Sequence, residues 1–235
     1  MEDDDGGVGT DTLTVTVNNV VPSISEIIVT PPNPENPEFT LPTVHEPLFT
    51  ASASDPGSDD LVFRWNWDDE TENTTIFYND GVGPDPPSSP WGTYPFSTTD
   101  GIGHIYSDPG TYTVTLTVED DDGGVETATY AIKILSAEEA KHVINKYIQG
   151  LPDNAFKNNP NSHKKAFNNM FAAIDDMLLE EEYQGAIMDL RHNIREKADG
   201  AVDGSAKNDW ITDPTAQEEI CWKIDALIAY LETLI

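Results

Sequence analysis

Basic residues are scarce in this chain: 12 Lys and Arg stand against 43 Asp and Glu in 235 residues, a formal net charge of −31. That imbalance argues against nucleic acid, itself a polyanion, as a partner, and against docking on anionic lipid. It favours solubility, cation binding or a saline medium. Cysteine is nearly absent, and the single Cys221 excludes an internal disulfide and any CxxC metal motif. An intracellular protein and a microbial surface protein both stay open on that count. No apolar run approaches the roughly 18–20 residues of a membrane span. Met1 to Gly7 are acidic rather than basic-then-apolar, so no secretory leader is expected there. Hydrophobic residues make up 37%, below the usual ~45–50%, so the core must be economical.

The charge is uneven. Residues 1–135 carry 25 acidic side chains and two basic ones, Arg64 and Lys133, whereas residues 136–235 carry 18 and 10. Two domains with different surface chemistry are the simplest reading. The first part is rich in Thr, Val, Pro, Gly and Asp. Apolar residues alternate at Leu13, Val15, Val17; at Phe63, Trp65, Trp67; at Tyr112, Val114, Leu116, Val118; and at Tyr130, Ile132, Ile134. Period-2 alternation with Thr on the other face predicts half-buried strands. The Pro-rich stretches 31–37 and 84–90 cannot be central strands. Together these predict an all-β sandwich. The motif Glu2-Asp3-Asp4-Asp5-Gly6-Gly7-Val8 recurs letter for letter at Glu119-Asp120-Asp121-Asp122-Gly123-Gly124-Val125. A repeat at that spacing makes residues 1–21 the last turn and strand of a preceding copy, residues 22–135 one whole copy, and the chain a piece of something longer. Strand 8–21 would then be an unpaired edge able to self-associate by strand addition.

At Ser136 the period changes. Ser136-Ala137-Glu138-Glu139 is a capping box, opening a helix that Gly150 and Pro152 close. Asn159-Pro160 opens a second helix, Tyr183 to about Gly200 forms a third, and Asp213-Pro214 opens a fourth. Their apolar stripes run through Phe167, Met170, Phe171, Ile174, Met177 and Leu178; through Ile187, Leu190 and Ile194; and through Ile220, Ile224, Leu227, Leu231 and Leu234. Residues 136–235 are thus expected to be an antiparallel bundle of about four helices.

Candidate chemistry rests on carboxylates. Asp55, Asp59 and Asp60 share one turn, Asp68 to Glu70 another, and Asp120 to Asp122 a third. Calcium needs about six to eight oxygens from carboxylates and carbonyls on irregular backbone, and loops at one end of a sandwich converge. Asp55, Asp59, Asp60 and Asp68, then Asp120 and Asp122, are the expected metal ligands, with calcium the expected cofactor. The alternative is solvated turns, which use Asp and Gly for their backbone freedom alone. The loop 199–210 has Gly204 at the sixth position of an EF-hand-like run. Its third and twelfth positions are Ala and Trp, so Trp210 is expected to pack on the bundle instead. The five histidines show no HExxH spacing, and no nucleophile elbow or phosphate loop occurs. Cys221 reads as a buried hydrophobe. No catalytic residue is expected, and the chain is read as non-enzymatic. Trp91, Tyr94 and Phe96, in a Pro-rich stretch, form either a sugar-binding platform or a cover for a sheet edge. Asn73-Thr74-Thr75 is a glycosylation sequon.

Trp65-Asn66-Trp67-Asp68-Asp69-Glu70-Thr71, His104-Ile105-Tyr106, the run from Gly110 to Val118, and Asp120 to Gly124 together resemble the PKD (polycystic kidney disease) domain, an immunoglobulin-like sandwich. The resemblance covers residues 22–135. It departs where Asp68-Asp69-Glu70 replaces the family's Gly-Asp-Gly, which predicts an altered hairpin there. It gives His104 a structural hydrogen-bonding role. The helical part, with Tyr183-Gln184-Gly185-Ala186 and Asn208-Asp209-Trp210-Ile211, is similar to helical modules at the C-terminal ends of microbial secreted and surface proteins. These resemblances imply an extracellular or cell-surface location and a multidomain parent. The expected function is a spacer or scaffold with calcium-stabilised loops, ending in a module for interaction or assembly. Its partners would be other repeats of the parent, a cell-surface protein or an extracellular polymer. The alternative is an accessory polymer-binding region of a secreted hydrolase.

Overall fold

The computed structural model describes residues 5, 8, 10–16, 18–57, 59–79, 83, 95–200, 202, 204 and 207–235. Among these residues eight strands precede four α-helices. They are β1 (Ser23–Ile24), β2 (Ile28–Thr30), β3 (Leu48–Asp55), β4 (Leu61–Asn66), β5 (Glu72–Phe77), β6 (Phe96–Gly103), β7 (Gly110–Asp120) and β8 (Val125–Ile134), then α1 (Ala137–Gly150), α2 (Pro160–Leu179), α3 (Tyr183–Asp189) and α4 (Pro214–Glu232). All strand pairings are antiparallel. In one sheet β3 pairs with β1 and β2 on one side and β6 on the other; the second has the order β5-β4-β7-β8. This is an immunoglobulin-like sandwich followed by a helical bundle.

The alternation read from the sequence sets which faces meet. Phe63, Trp65 and Trp67 are fully buried with Phe49, Val114, Leu116 and Val118 between the sheets. The two indoles stack at 5.6 Å, and the His104 ring stacks on Trp67 at 4.4 Å. Buried indole N–H groups need acceptors. Trp65 Nε1 donates to Asp100 at 2.9 Å and Trp67 Nε1 to Asn73 Oδ1 at 2.7 Å. His104 Nε2 lies 2.8 Å from Asp69 Oδ2, so the histidine holds the β4–β5 hairpin.

That hairpin keeps the left-handed backbone without glycine: Asp68 and Glu70 have φ of 65° and 68°. The conformation is held by Asx bonds, from Asp68 N to Asn66 Oδ1 and from Thr71 N to Asp69 Oδ1. Residues 10–16 pair with no strand, and Leu13 and Val15 are 88% and 72% exposed.

The helices begin where the sequence signals predict. Glu139 N donates to Ser136 Oγ and Ser136 N to Glu139 Oε2, closing the capping box, and Asp213 caps α4 through Ala216 N. The third helix differs from the expected continuous span to Gly200. After α3 the chain widens into a π-turn, Leu190–Ile194, and tightens into a 3₁₀ turn, Arg195–Lys197, with Leu190 and Ile194 still fully buried. Leu234 lies beyond α4 and is largely exposed. Trp210 packs against His163 and Phe167 of α2, as expected for a cover on the bundle.

The helical core is not made by helices alone. Phe39, Leu41 and Leu135 are buried within it, beside Ile144, Ile220 and Ile224. His45 stacks on Trp222 at 5.3 Å, its Nδ1 accepting from Leu41 N. The segment joining β2 to β3 therefore serves as part of the bundle's wall.

Candidate metal centre

β3 ends at Asp55, β4 begins at Leu61, and β7 ends at Asp120, which pairs with Leu61. The β3–β4 and β7–β8 turns thus meet at one end of the sandwich. There Asp55, Asp59 and Asp120 each present a carboxylate oxygen, all within 4.8 Å of one another, the one such group among the described residues. Asp55 is fully buried. Its Oδ1 accepts from Gly57 N at 2.6 Å, while the buried Oδ2 has no hydrogen-bond partner among the described residues. Asp120 is also buried; its Oδ1 accepts from Gly124 N at 2.6 Å, and both oxygens accept from Asn19 Nδ2.

Two glycines make room for the carboxylates. A Cβ on Gly57 would stand 2.8 Å from Asp59 Oδ2 and 2.9 Å from Asp55 Oδ1; one on Gly124 would stand 2.3 Å from Asp120 Oδ2. The turn between β7 and β8 also places Gly123 at φ +88°, open to glycine without cost.

Among the described residues no Lys or Arg pairs with these carboxylates. The only bases of residues 1–135 pair elsewhere, Arg64 with Glu119 and Lys133 with Glu139, both on the surface. Burial, then repulsion from Asp121, Asp55, Asp122 and Asp120, pushes the Asp59 carboxyl up to about 6. Burial also raises Asp55; the Gly57 amide partly offsets this, Asp120 adds repulsion, and a side-chain hydrogen bond with Asp59 lowers it again. Asp121 is raised by burial and by its acidic neighbours. Like charges in partial burial behave in this way unless a cation is supplied. The donor set is hard oxygen, from two strand ends and the adjoining turn, which suits calcium far better than a soft or nitrogen-preferring metal.

The sequence-predicted ligands divide. Asp55, Asp59 and Asp120 come together, with Asp122 exposed but close enough to raise Asp59. Asp60 is turned aside: it is buried, and its Oδ1 accepts from Asn79 N at 2.9 Å. Asp68 sits at the opposite end of β4, its Oδ2 bonded to Thr113 N, roughly 20 Å of strand away. Asn19, Gly57 and Gly124 were missed. Nothing in the spacing links Asn19 to a residue 101 positions on; the glycines were visible only as turn formers.

Phe96 opens β6, half-buried against the sandwich core, whereas Trp91 and Tyr94 lie outside the described residues. Asn73 is exposed on β5, with its Oδ1 turned to Trp67. Cys221 is buried. No helix among the described residues is long and apolar enough to cross a membrane.

Residues 92–134, which include β6 to β8, match the family model of the PKD domain. No curated protein matches the chain. Among solved structures, the PKD domain of an M14-like peptidase from a Thermoplasmatales archaeon is 17% identical, covering 51% of this chain and all of that one, with a TM-score of 0.34. The PKD1 domain of Epp from Vibrio anguillarum is 16% identical over 50% of this chain and 96% of its own, with a TM-score of 0.30. The CARDB domain of a Pyrococcus furiosus protein, solved in complex with di-metal ions, is 12% identical over 54% of this chain and 100% of its own, with a TM-score of 0.30.

Proposed function

We propose that this chain is a non-catalytic accessory region of an extracellular or cell-surface protein. In this reading the PKD-type sandwich is a calcium-stabilised spacer and the helical bundle a terminal module for interaction or assembly. The observation that carries it is the Asp55–Asp59–Asp120 group, in which the buried Oδ2 of Asp55 has no hydrogen-bond partner among the described residues. A hard divalent cation would supply what that oxygen lacks and cancel the repulsion around it. The position supports a spacer role as well. Asn19, from the segment preceding the sandwich, already rests on Asp120, so a cation there would stiffen the joint with whatever lies before it.

The test is thermal unfolding in calcium against chelator at constant ionic strength. With calcium a hundredfold above its Kd, mass action adds about 2.7 kcal/mol to the folded state, and a melting shift of roughly 5–10 °C follows for a chain of this size. Asp55→Asn and Asp59→Asn are expected to raise the melting temperature in chelator, by relieving repulsion, and to abolish the calcium shift. Equal melting curves in calcium and chelator for the unaltered chain would refute the reading.

A further inference from the structure

A second polar cluster lies where the β2–β3 segment meets α4. Lys223 is only 2% exposed, deep for a lysine. Its Nζ contacts two groups: Oδ1 of Asn36 and Oε1 of Glu219, one helical turn back. The rings of Tyr147 and Phe39 flank it, their centroids 4.7 and 5.9 Å from Nζ. The other atom of the Asn36 amide, Nδ2, is buried and has no hydrogen-bond partner among the described residues. Asn36, Tyr147, Glu219 and Lys223 line a cleft of about 580 Å³ that opens to solvent.

We propose that Lys223, Asn36 and Glu219 form a self-processing site that joins Lys223 Nζ to Asn36 Cγ as an intramolecular isopeptide bond. Each component is present. The nucleophile is an amine held against the carboxamide, so its encounter with the carbonyl carbon needs no diffusion and little loss of freedom. Burial favours the neutral amine, lowering the Lys223 pKa against the opposing pull of Glu219. Glu219 touches Nζ, and the Tyr147 hydroxyl holds it in place.

The chemistry balances without a co-reactant. A proton passes from Lys223 to Glu219, leaving a free amine and a carboxylic acid. The amine lone pair attacks Cγ of Asn36; a C–N bond forms and the carbonyl π pair moves onto Oδ1, where the Glu219 proton stabilises it. The attacking nitrogen sheds a proton, which Glu219 relays to Nδ2. The Cγ–Nδ2 bond then breaks and ammonia leaves through the cleft. The products are one secondary amide and one ammonia. Nothing is oxidised or reduced.

The bond would tie residues 187 apart in sequence. It would couple the segment leading into β3 directly to α4, so a pull on the sandwich reaches the C-terminal helix without passing through α1 to α3. A crosslink closing so long a loop also restricts the unfolded chain.

Mass spectrometry of the denatured full chain decides the matter. The unaltered protein is expected to weigh one ammonia less than its sequence. Digestion after glutamate should yield peptide 36–38 joined to peptide 220–232. Succinimide formation at an asparagine loses the same ammonia, so the joined peptide and the Lys223→Arg variant separate the two. That variant, and Asn36→Ala, should show no ammonia loss and no joined peptide. Glu219→Gln should slow bond formation about a hundredfold, the usual scale for one acid–base group. Full sequence mass in folded, unaltered protein after prolonged incubation at neutral pH would overturn the proposal. Ammonia loss that persists in Lys223→Arg would overturn it as well. The ammonia loss and the joined peptide are both read in the unaltered chain, so a variant that fails to fold does not blunt the test.

Discussion

Asp59 shows what partial burial among like charges does to one residue, and the sign of its pH dependence follows. Its folded-state pKa, raised to about 6, lies above the ordinary value of 3.8. The folded state therefore binds this proton more tightly than the unfolded one. The contribution is fully present below about pH 4 and is lost as pH rises through 6. Without calcium, acidification from pH 7 to 5 should stabilise the sandwich, visible as a rising melting temperature. With saturating calcium the trend should reverse, because protons displace the ion. A single residue in the β4–β5 hairpin gives a second prediction. Glu70 holds φ at 68° while exposed, and a left-handed conformation costs a side-chain-bearing residue roughly 1 kcal/mol. Glu70→Gly should stabilise the sandwich by about 0.5–1 kcal/mol in urea unfolding, less whatever the added freedom of the unfolded chain returns. The resemblance foresaw an altered hairpin from the missing glycines. Here Asx bonds, not glycine, hold the positive φ of Asp68 and Glu70.

The element that ties the two halves is the segment between β2 and β3. Phe39 is 1% exposed and packs edge-on to Trp222 of α4 at 5.6 Å, inside the helical core. Phe39→Ala should therefore cost about 3–5 kcal/mol, and the loss should fall on the helical half. Far-ultraviolet circular dichroism would register it as early melting of the helices, with the near-ultraviolet signal of the stacked Trp65 and Trp67 changing later. This dependence was not legible in the sequence. The capping box at Ser136 and the four apolar stripes announce a bundle that begins at residue 136, and both features are local. Phe39 and Leu41, set in a Pro-rich stretch without periodicity, carry no sign of which core they serve. The strands, by contrast, were readable, because a period of 2 fixes which side chains meet across the sandwich.

At the scale of the whole molecule the charge of −31 is concentrated where the chain has least to neutralise it. The two acidic turns at the 55–60 and 120–124 ends were visible as composition, and their convergence follows from any sandwich that closes those strands. Which carboxylates converge was not visible. Asp60 lies beside Asp59 but its Oδ1 takes the Asn79 amide, and Asp68 sits at the far end of β4, where its Oδ2 takes the Thr113 amide. That difference exists only after folding. In the function proposed here, the Asp55–Asp59–Asp120 end of the sandwich holds a divalent cation. Titration calorimetry of metal-free protein with calcium tests this most directly. Saturable binding at one site, weakened below pH 6 and lost in Asp55→Asn, is the expected result; no binding heat from calcium at millimolar concentration, in protein shown to be folded, would refute the cation site.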